Sequence, residues 1–293
     1  MDKKPIITIT TDFGISDGYV GVMKGVILDI LPDAQLVDIS HDIEPQNVRQ
    51  AAYVLYTVYG YFPAHTVHLV VVDPGVGSAR RPIAMRTPRG MFVGPDNGVF
   101  SYIMARSDEP VDALVALENP RYRLPWVSNT FHGRDVFSPA AAHLAAGVPI
   151  ADLGREVHDP VRLPLPRLEV KEDRVLGEVL HSDRFGNVIT SIGVLSWPMD
   201  QERVLVLAPA FSSEVSPPGD PSALQQLSAQ RMLVRVKGEA LLGVHRTYAE
   251  VERGSVLALV GSEGYLEIAV REGNAAQTLG LRPGDPVEMC FRP

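Results

Sequence analysis

The residues with the clearest catalytic potential in the first half of the chain are an aspartate and an arginine on either side of a glycine-rich turn. Asp73 follows the apolar run 70–72, and Arg80 comes after a turn that contains Pro74. β-Branched runs are typical of buried strands, and proline and glycine favour tight turns where strands end. Asp73 is therefore expected at the carboxyl end of a core strand, where open α/β sheets bind their ligands.

Other interpretations of this turn differ in strength. In the first, which these residues alone leave open, Asp73 caps the turn by accepting hydrogen bonds from loop amides. A nucleotide-phosphate loop is not matched, because Gly75 and Gly77 lack the third glycine of a dinucleotide motif and no Lys-Ser/Thr pair follows. His65 and His68 make a poor metal pair, because they flank a strand and point to opposite faces.

Polar side chains also close two other predicted strands of this half, at 6–10 and 35–39. Asp12 follows the first strand, and the second ends in a group made up of Asp38, Ser40 and His41. Because parallel strands bring their carboxyl ends to one edge of a sheet, these groups together with Asp73 predict a polar cleft.

Three candidates near predicted helices have simple structural alternatives. Asp17 is expected to cap the helix that follows it, whereas Asp12 lies too early in the chain to do so. His132 and Asp135 precede an alanine-rich helix. Asp135 can cap that helix, and a lone histidine is more often structural than catalytic. In the second half, the turns 181–187, 261–265 and 273–276 have compositions that ordinary hairpins also use.

Composition limits the class of protein. The chain has 293 residues, a net charge of −8 and 45% apolar residues, which suits a globular protein of two domains. It has no basic run, so nucleic acid is not an expected partner. The single cysteine, Cys290, excludes an internal disulfide and favours a reducing cytoplasm. The first residues do not resemble a signal peptide, and no apolar stretch reaches membrane-spanning length.

Alternating strand and helix patterns predict an α/β N-terminal domain at 1–165, with a mostly parallel sheet flanked by helices. Helices are expected at 17–31, 44–59 and 138–146, and a hairpin is expected from strands at 82–86 and 90–93. A C-terminal domain at 166–293 is expected to be an all-β barrel. Its strands are predicted at 175–180, 188–192, 204–208, 232–236, 256–260, 266–270 and 286–291.

Six short segments in a fixed order carry a resemblance to a known family. They are Thr-Asp-Phe-Gly at 11–14, Asp-Pro-Gly-Val-Gly at 73–77 with Arg80, Pro-Asp-Asn-Gly at 95–98, Phe-His-Gly-Arg-Asp at 131–135, Asp-Arg-Phe-Gly-Asn at 183–187 and Ser-Glu-Gly-Tyr-Leu at 262–266. Each segment is weak alone, but their order and spacing together are specific. In this combination the chain resembles the S-adenosyl-L-methionine (SAM) hydroxide adenosyltransferases, whose relatives include bacterial fluorinase and chlorinase.

The resemblance implies a hydrolase that cleaves SAM to adenosine and L-methionine by in-line attack of water or hydroxide at C5′. The family's catalytic set falls on Asp73, Arg80 and His132. Its substrate-binding positions fall on Asp12 for the ribose hydroxyls, Phe185, Tyr248 and Asn187 for the adenine ring, Asp183 and Asp17 for the methionine ammonium, Ser262 and Glu263 for its carboxylate, and the backbone at Val270 and Ala275 for the adenine edge. Glu263 stands where the halogenase has arginine. The resemblance further implies no cofactor, no metal, and a homotrimer with active sites at subunit interfaces.

Three alternative functions fit parts of this pattern. A SAM-dependent halogenase is disfavoured, because Asp73 and His132 stand where fluorinase has tyrosines and a carboxylate beside the nucleophile repels a halide. A nucleoside-binding protein without activity would not need Arg80 and His132. A metal-dependent hydrolase would use Asp12, Asp38, Asp73 and His132, but the chain lacks closely spaced histidine and aspartate pairs.

Overall fold

The computed structural model of the chain describes residues 4–106, 108–199, 204–208, 210 and 225–291. The chain divides into two compact units, Met1–Pro164 and Leu165–Pro293. The first unit contains one sheet and the second contains two, and each unit has its own hydrophobic core. Each unit is described by itself.

The first unit contains a six-stranded sheet. Its strands are β1 (Ile6–Thr11), β2 (Gln35–Ser40), β3 (Val67–Val71), β4 (Pro82–Thr87), β5 (Gly90–Pro95) and β6 (Ala113–Ala116). They lie in the order β2-β1-β3-β5-β4-β6, in which β2, β1, β3 and β5 run parallel and β4 is antiparallel to both of its neighbours. The predicted mostly parallel sheet and the predicted hairpin of β4 and β5 are confirmed.

Helices cover this sheet on both faces. They are α1 (Tyr19–Ile30), α2 (Val48–Val58), α3 (Ser101–Met104) and α4 (Ser138–Ala145), and a π-helical turn at Gly133–Phe137 leads into α4. Leu69 packs in one hydrophobic cluster with Met23 and Phe137, whereas its neighbour Val70 packs in another with Leu55. Because successive side chains of a strand point to opposite faces, β3 is buried on both sides, as its largely apolar sequence predicts.

Two details of the predicted helices are wrong. α2 begins at Val48 rather than at 44, because Asn47 caps it by accepting a hydrogen bond from the Gln50 amide at 3.0 Å. Asp17 does not cap α1, since the N-cap residue is Gly18 and it makes no side-chain cap hydrogen bond. Asp17 therefore lies exposed on the loop before the helix.

The second unit is built from antiparallel strands. They are β7 (Leu168–Val170), β8 (Arg174–Ser182), β9 (Val188–Thr190), β10 (Leu195–Ser196), β11 (Val204–Leu207), β12 (Gln225–Ser228), β13 (Met232–Val236), β14 (Glu239–Leu242), β15 (Val256–Val260), β16 (Leu266–Val270) and β17 (Pro286–Phe291). One sheet runs β14-β13-β17-β8-β9-β16-β15 with β7 beside β8, and a second joins β10, β11 and β12. A short helix, α5 (Ala275–Leu279), follows β16. All seven predicted strands are present, and the near-barrel arrangement confirms the predicted all-β architecture.

Candidate active site

The first unit buries the predicted pair of Asp73 and Arg80 just beyond the carboxyl end of β3. Arg80 Nε donates to Asp73 Oδ1 at 2.8 Å, and Arg80 Nη2 donates to Asp73 Oδ2. The side chains are 9% exposed for the arginine and 6% for the aspartate. Both carboxylate oxygens therefore bind the guanidinium in a bidentate pair. The turn itself is closed by the main chain, where the Val76 amide donates to the Asp73 carbonyl at 3.2 Å.

Hydrogen bonds within the turn and one glycine shape the segment that brings Arg80 next to Asp73. Ser78 Oγ donates to the Gly75 carbonyl at 2.7 Å and accepts from the Arg80 amide at 3.2 Å. Gly77 has a φ of +75°, and a Cβ there would lie 2.4 Å from the carbonyl oxygen of Asn129. The turn therefore requires glycine at this position, both for its backbone conformation and for its contact with the segment before His132.

His132 completes the cluster through the same guanidinium. Its Nδ1 lies 2.9 Å from Arg80 Nη2. Because a guanidinium only donates, Nδ1 must accept, and the proton of the neutral imidazole then sits on Nε2. Burial and the positive charge of Arg80 lower the pKa of His132 below its ordinary value. The imidazole is therefore held neutral, with Nε2–H as its remaining donor.

The π-helical turn Gly133–Phe137 holds His132 in place. Asp135 is fully buried within this turn, and its Oδ2 accepts from the Ser128 amide at 2.8 Å. Asp135 does not cap the alanine-rich helix, because it lies within the π-helical turn and α4 begins at Ser138, where the sequence predicts it. π-Helical turns recur at functional sites, and sequence periodicity did not reveal this one.

Arg80 retains one unused donor. Its guanidinium carbon lies 5.1 Å from the centre of the Phe137 ring. Its Nη1 is buried and has no hydrogen-bond partner in the part of the chain that the structure describes. Buried donors in folded proteins are nearly always satisfied. The unused Nη1 is therefore the one buried donor group of this cluster, among the described residues, that still requires an acceptor.

The loop after β1 packs beside this cluster. Asp12 Oδ2 accepts from the Gln46 amide at 2.8 Å. The next residue, Phe13, lies with its ring centre 5.8 Å from that of Phe131, and Tyr19 lies 5.3 Å from the same ring. These ring contacts bring the loop that carries Asp12 next to the segment that carries His132.

The polar group at β2 forms a network of side-chain contacts. Asp38 lies inside β2, where it contacts Lys24 Nζ at 2.6 Å and His41 Nε2 at 3.1 Å. His41 Nδ1 in turn lies 2.9 Å from the buried Thr11 hydroxyl. Burial raises the pKa of Asp38, but the hydrogen bond from Lys24 and the nearby His41 lower it by more, so the net shift is downward. This network joins β1, β2 and α1.

A second group of predicted residues is brought together in the second unit, in the loop between β8 and β9. Asp183 Oδ1 accepts from the amides of Phe185 and Asn187, both at 2.9 Å. Asp183 Oδ2 accepts from Asn187 Nδ2 at 2.9 Å. Phe185 projects from this loop with 76% exposure. The aspartate therefore shapes a loop that presents an aromatic ring and an amide side by side.

Tyr248 and Glu267 extend this group. Tyr248 Oη donates to Glu267 Oε1 at 2.5 Å and accepts from Asn187 Nδ2 at 3.4 Å. Burial, together with the nearby charge of Asp183, raises the pKa of Glu267. Glu267 was not among the predicted site residues. Its signal was an acidic residue within the otherwise apolar strand 266–270.

The remaining predicted positions surround the same loop. Ser262 and Glu263 lie in the turn between β15 and β16, next to Gly261, where a Cβ would lie 2.8 Å from Glu267 Oε2. Val270 ends β16, and Ala275 is buried at the start of α5. The amide of the following residue, Ala276, donates to the Gly186 carbonyl at 3.0 Å, which joins α5 to the loop 183–187.

Neither a metal cluster nor a membrane-spanning helix is found among the described residues. No group of three or more histidine, cysteine, aspartate or glutamate side chains is arranged there to hold a metal ion. No helix in the same part of the chain is long and apolar enough to cross a membrane. Of the residues considered for a metal-dependent hydrolase, Asp38 and Asp73 already bind cationic side chains.

Comparison with known proteins bears on the whole chain. Residues 7–154 match the family model of the SAM hydroxide adenosyltransferase N-terminal domain, and residues 219–288 match that of the C-terminal domain. This chain belongs to the SAM hydroxide adenosyltransferase family. The resemblance expected from the six sequence segments is thereby confirmed.

Individual proteins also resemble the chain over nearly its full length. A protein of Thermus thermophilus named (R)-S-adenosyl-L-methionine hydrolase is 41% identical, with 95% of this chain and 97% of the relative covered. A fluorinase of Nocardia brasiliensis is more distant, at 26% identity over 98% of this chain and 97% of the relative. A crystal structure of a conserved protein from Thermotoga maritima has a TM-score of 0.80 and 37% identity, covering 97% of this chain and 99% of that one.

The close contact between the turn 73–80 and Asn129 leads to a stability prediction. Gly77→Ala is expected to lower the free energy of unfolding by about 1–3 kcal/mol, because it adds both a strained φ and a steric overlap. Gly147→Ala is the matched control, since Gly147 has a φ of +93° but an added Cβ there would meet nothing within 4 Å. Thermal and urea unfolding of both variants measure the difference. Equal losses would show that the contact with Asn129 does not shape the turn.

Proposed function

We propose that this protein hydrolyses SAM to adenosine and L-methionine, with Asp73, Arg80 and His132 activating the attacking water. The observation that carries the proposal is the buried cluster in which Arg80 binds both other residues and keeps Nη1 unused. Relatives named (R)-S-adenosyl-L-methionine hydrolase, at 33–41% identity over nearly the full chain, support the reaction. Their name also supports the R configuration at the sulfonium of the substrate.

In this reaction the attacking water needs activation, whereas the leaving group does not. The sulfonium departs from C5′ as a neutral thioether, so the leaving group needs no acid. Because the substrate is already activated, we propose that the reaction uses no cofactor and no metal. Water is a weak nucleophile, and partial hydroxide character must be stabilised as the C–O bond forms. Arg80 Nη1 is a buried cationic donor that can bind this oxygen.

The hydrogen-bond directions indicate different roles for His132 and Asp73 toward the attacking water. The Nδ1 of His132 already accepts from Arg80, so its Nε2–H can donate to the water oxygen and orient it. Asp73 uses one acceptor position on each oxygen for Arg80 and keeps the others. We infer that Asp73 takes the proton. General-base assistance of this kind typically contributes about 10²–10⁴-fold to the rate.

The substrate contacts follow the same proposal. Asp12 binds the ribose hydroxyls, and Phe185 and Tyr248 stack on the adenine ring beside Asn187. The methionine ammonium faces Asp183 and Asp17, and its carboxylate lies near Ser262 and Glu263. The backbone at Val270 and Ala275 reads the edge of the base. The exposed rings of Phe185 and Tyr248 support this arrangement.

Assembly and location are also proposed. We infer a homotrimer with active sites at subunit interfaces. We also infer a cytoplasmic location, because a single cysteine suits a reducing compartment. Light scattering of the purified protein tests the trimer, and a monomeric mass would exclude it.

The halogenase remains the second candidate, because fluorinases are among the chain's relatives. A halide must shed its water and bind donors in a small pocket, and the Asp73 carboxylate opposes it there by charge repulsion. Incubation with SAM in chloride buffer separates the two reactions. Mass spectrometry should find adenosine, whereas 5′-chloro-5′-deoxyadenosine would identify a halogenase.

The catalytic assignment predicts a division between kcat and KM. Asp73→Ala and His132→Ala are expected to lower kcat for adenosine release by about 10²-fold or more, because they remove the proton acceptor and the orienting donor. Asp12→Ala is the contrasting variant, which should mainly raise KM by weakening ribose binding. Chromatography of adenosine formed from SAM measures all three variants. Unchanged kcat in both of the first two variants would contradict the assignment.

The lowered pKa of His132 predicts how activity responds to acid. Only the neutral ring can accept from Arg80, so activity is retained above its pKa and lost as the pH falls through it. Because that pKa lies below the ordinary 6.5, the acid limb should also lie below 6.5. NMR titration of the imidazole should show a higher pKa in Arg80→Gln, since a nearby positive charge is removed. An unchanged or lower value would contradict the proposed electrostatics.

A further inference from the structure

The segment Pro-Asp-Asn-Gly at 95–98 has no role in the proposed reaction, although it is one of the six segments that carry the family resemblance. Pro95 is the last residue of β5, which lies beside β3 and runs parallel to it. Because parallel strands end at the same edge of a sheet, the segment leaves the sheet beside the turn 73–80. Its contacts with that turn indicate what it does.

Asn97 binds the residue that immediately precedes Asp73. Its Nδ2 donates to the Val72 carbonyl at 2.9 Å, and its Oδ1 accepts from the Val99 amide at 3.2 Å. A main-chain amide only donates and a main-chain carbonyl only accepts, so these two partners fix which way the side-chain amide faces. Asn97 therefore joins the start of the turn 73–80 to the segment after β5.

The Val72 carbonyl lies beyond the paired part of β3 and β5, whose last partners are Leu69 and Val93. Val72 is fully buried, and a buried carbonyl without a hydrogen-bond partner is costly. The side chain of Asn97 supplies the donor that β5 no longer provides. Because this carbonyl belongs to the planar peptide that links Val72 to Asp73, its hydrogen bond holds that plane and the direction in which Asp73 leaves the strand.

The neighbouring residue, Asp96, holds the other end of the turn. Asp96 is 4% exposed, and its Oδ2 accepts from Arg81 Nε at 2.9 Å and from Arg81 Nη2 at 2.7 Å. The Asp96 amide also donates to the Arg81 carbonyl at 2.9 Å. Arg81 follows Arg80 directly, so two consecutive residues hold the turn 73–80 at its entry and at its exit.

We propose that Asn97 is a positioning residue for the reaction, which holds the peptide before Asp73 and thereby keeps Asp73 and Arg80 in the arrangement that meets His132. This inference rests on the proposed function, in which these three residues activate the attacking water. Asn97 acts through the main chain of its neighbours and does not touch the substrate. Misplacing a reacting group by about 1 Å can lower a rate by about 10²-fold.

Two substitutions separate the contact with Val72 from the local turn. Asn97→Ala removes both hydrogen bonds. Asn97→Ser keeps a hydroxyl that can accept from the Val99 amide, but its side chain is one bond shorter and does not reach the Val72 carbonyl. Both variants are expected to lower kcat for adenosine release about tenfold or more, while KM for SAM changes less than about threefold. A wild-type kcat in Asn97→Ser would overturn the proposal, since only the local turn would then matter.

Asn119 provides a matched control in the same unit. Its Nδ2 donates to the Asp152 carbonyl at 2.7 Å, and its Oδ1 accepts from the Arg121 amide at 3.0 Å. Asn119→Ala therefore removes the same two kinds of hydrogen bond, but not at the turn 73–80. Its kcat and KM should stay within about twofold of wild type, and thermal unfolding checks that the variants are folded. An equal loss of kcat in Asn119→Ala would contradict the proposal, because a general loosening of the unit would then explain the effect.

The imidazole of His132 gives a readout that does not depend on turnover. Its Nδ1 lies 2.9 Å from Arg80 Nη2, and burial together with the charge of Arg80 lowers its pKa. Asn97 is uncharged, so its replacement by alanine or serine changes this pKa only by displacing the groups around the ring. NMR titration should show a higher pKa in both Asn97 variants and an unchanged pKa in Asn119→Ala. An unchanged pKa in both Asn97 variants would also overturn the proposal.

The two proposals can fail separately. A higher pKa of His132 in the Asn97 variants of a protein that does not cleave SAM would overturn the hydrolase and keep the role of Asn97 in positioning the cluster. SAM cleavage with a wild-type kcat in both Asn97 variants would keep the hydrolase and overturn this inference.

Discussion

The buried ion pair between Arg80 and Asp73 is the interaction on which the cluster of Asp73, Arg80 and His132 depends. A guanidinium stays charged at every pH that a protein survives, so its burial requires a carboxylate partner. Asp73 supplies that partner from the end of β3. The pair then fixes the tautomer of His132 and lowers its pKa. One cation therefore sets the protonation state of the imidazole and leaves Nη1 available for an oxygen ligand.

The second unit uses hydrogen-bond direction rather than ion pairing. Asp183 and Glu267 each accept from a neighbour and have no cationic partner among the described side chains. In a low-dielectric setting such a chain is costly if one member is unsatisfied, which makes its donor directions well defined. A surface loop of ordinary turn residues thereby acquires a fixed pattern of donors and acceptors. The first unit thus holds its polar cluster together by an ion pair, and the second does so by directed hydrogen bonds.

Much of the fold could be predicted from local patterns. The run 69–72 is apolar at every position, which is typical of a strand buried on both faces, and β3 is such a strand. Helix boundaries were less predictable. Pro45 suits a first helical position, yet Asn47 caps α2 further along the chain because its side chain can accept from Gln50. Asp135 resembled a cap as well, and only the packing around the π-helical turn shows it to be buried.

The sequence by itself determined the order of chemical groups along the chain: an acid after each of two core strands, a basic residue after a glycine turn, and an aromatic ring beside an amide in the loop 183–187. These choices are local, because residue type and turn composition act over a few positions. Tertiary structure alone decided which groups meet. Asp38 was drawn to Lys24 and His41, His132 to Arg80, and Tyr248 to Glu267. The physical reason is that a buried polar group without a hydrogen-bond partner costs free energy. Which partner lies within reach depends on how distant segments pack, and not on the neighbours in the chain.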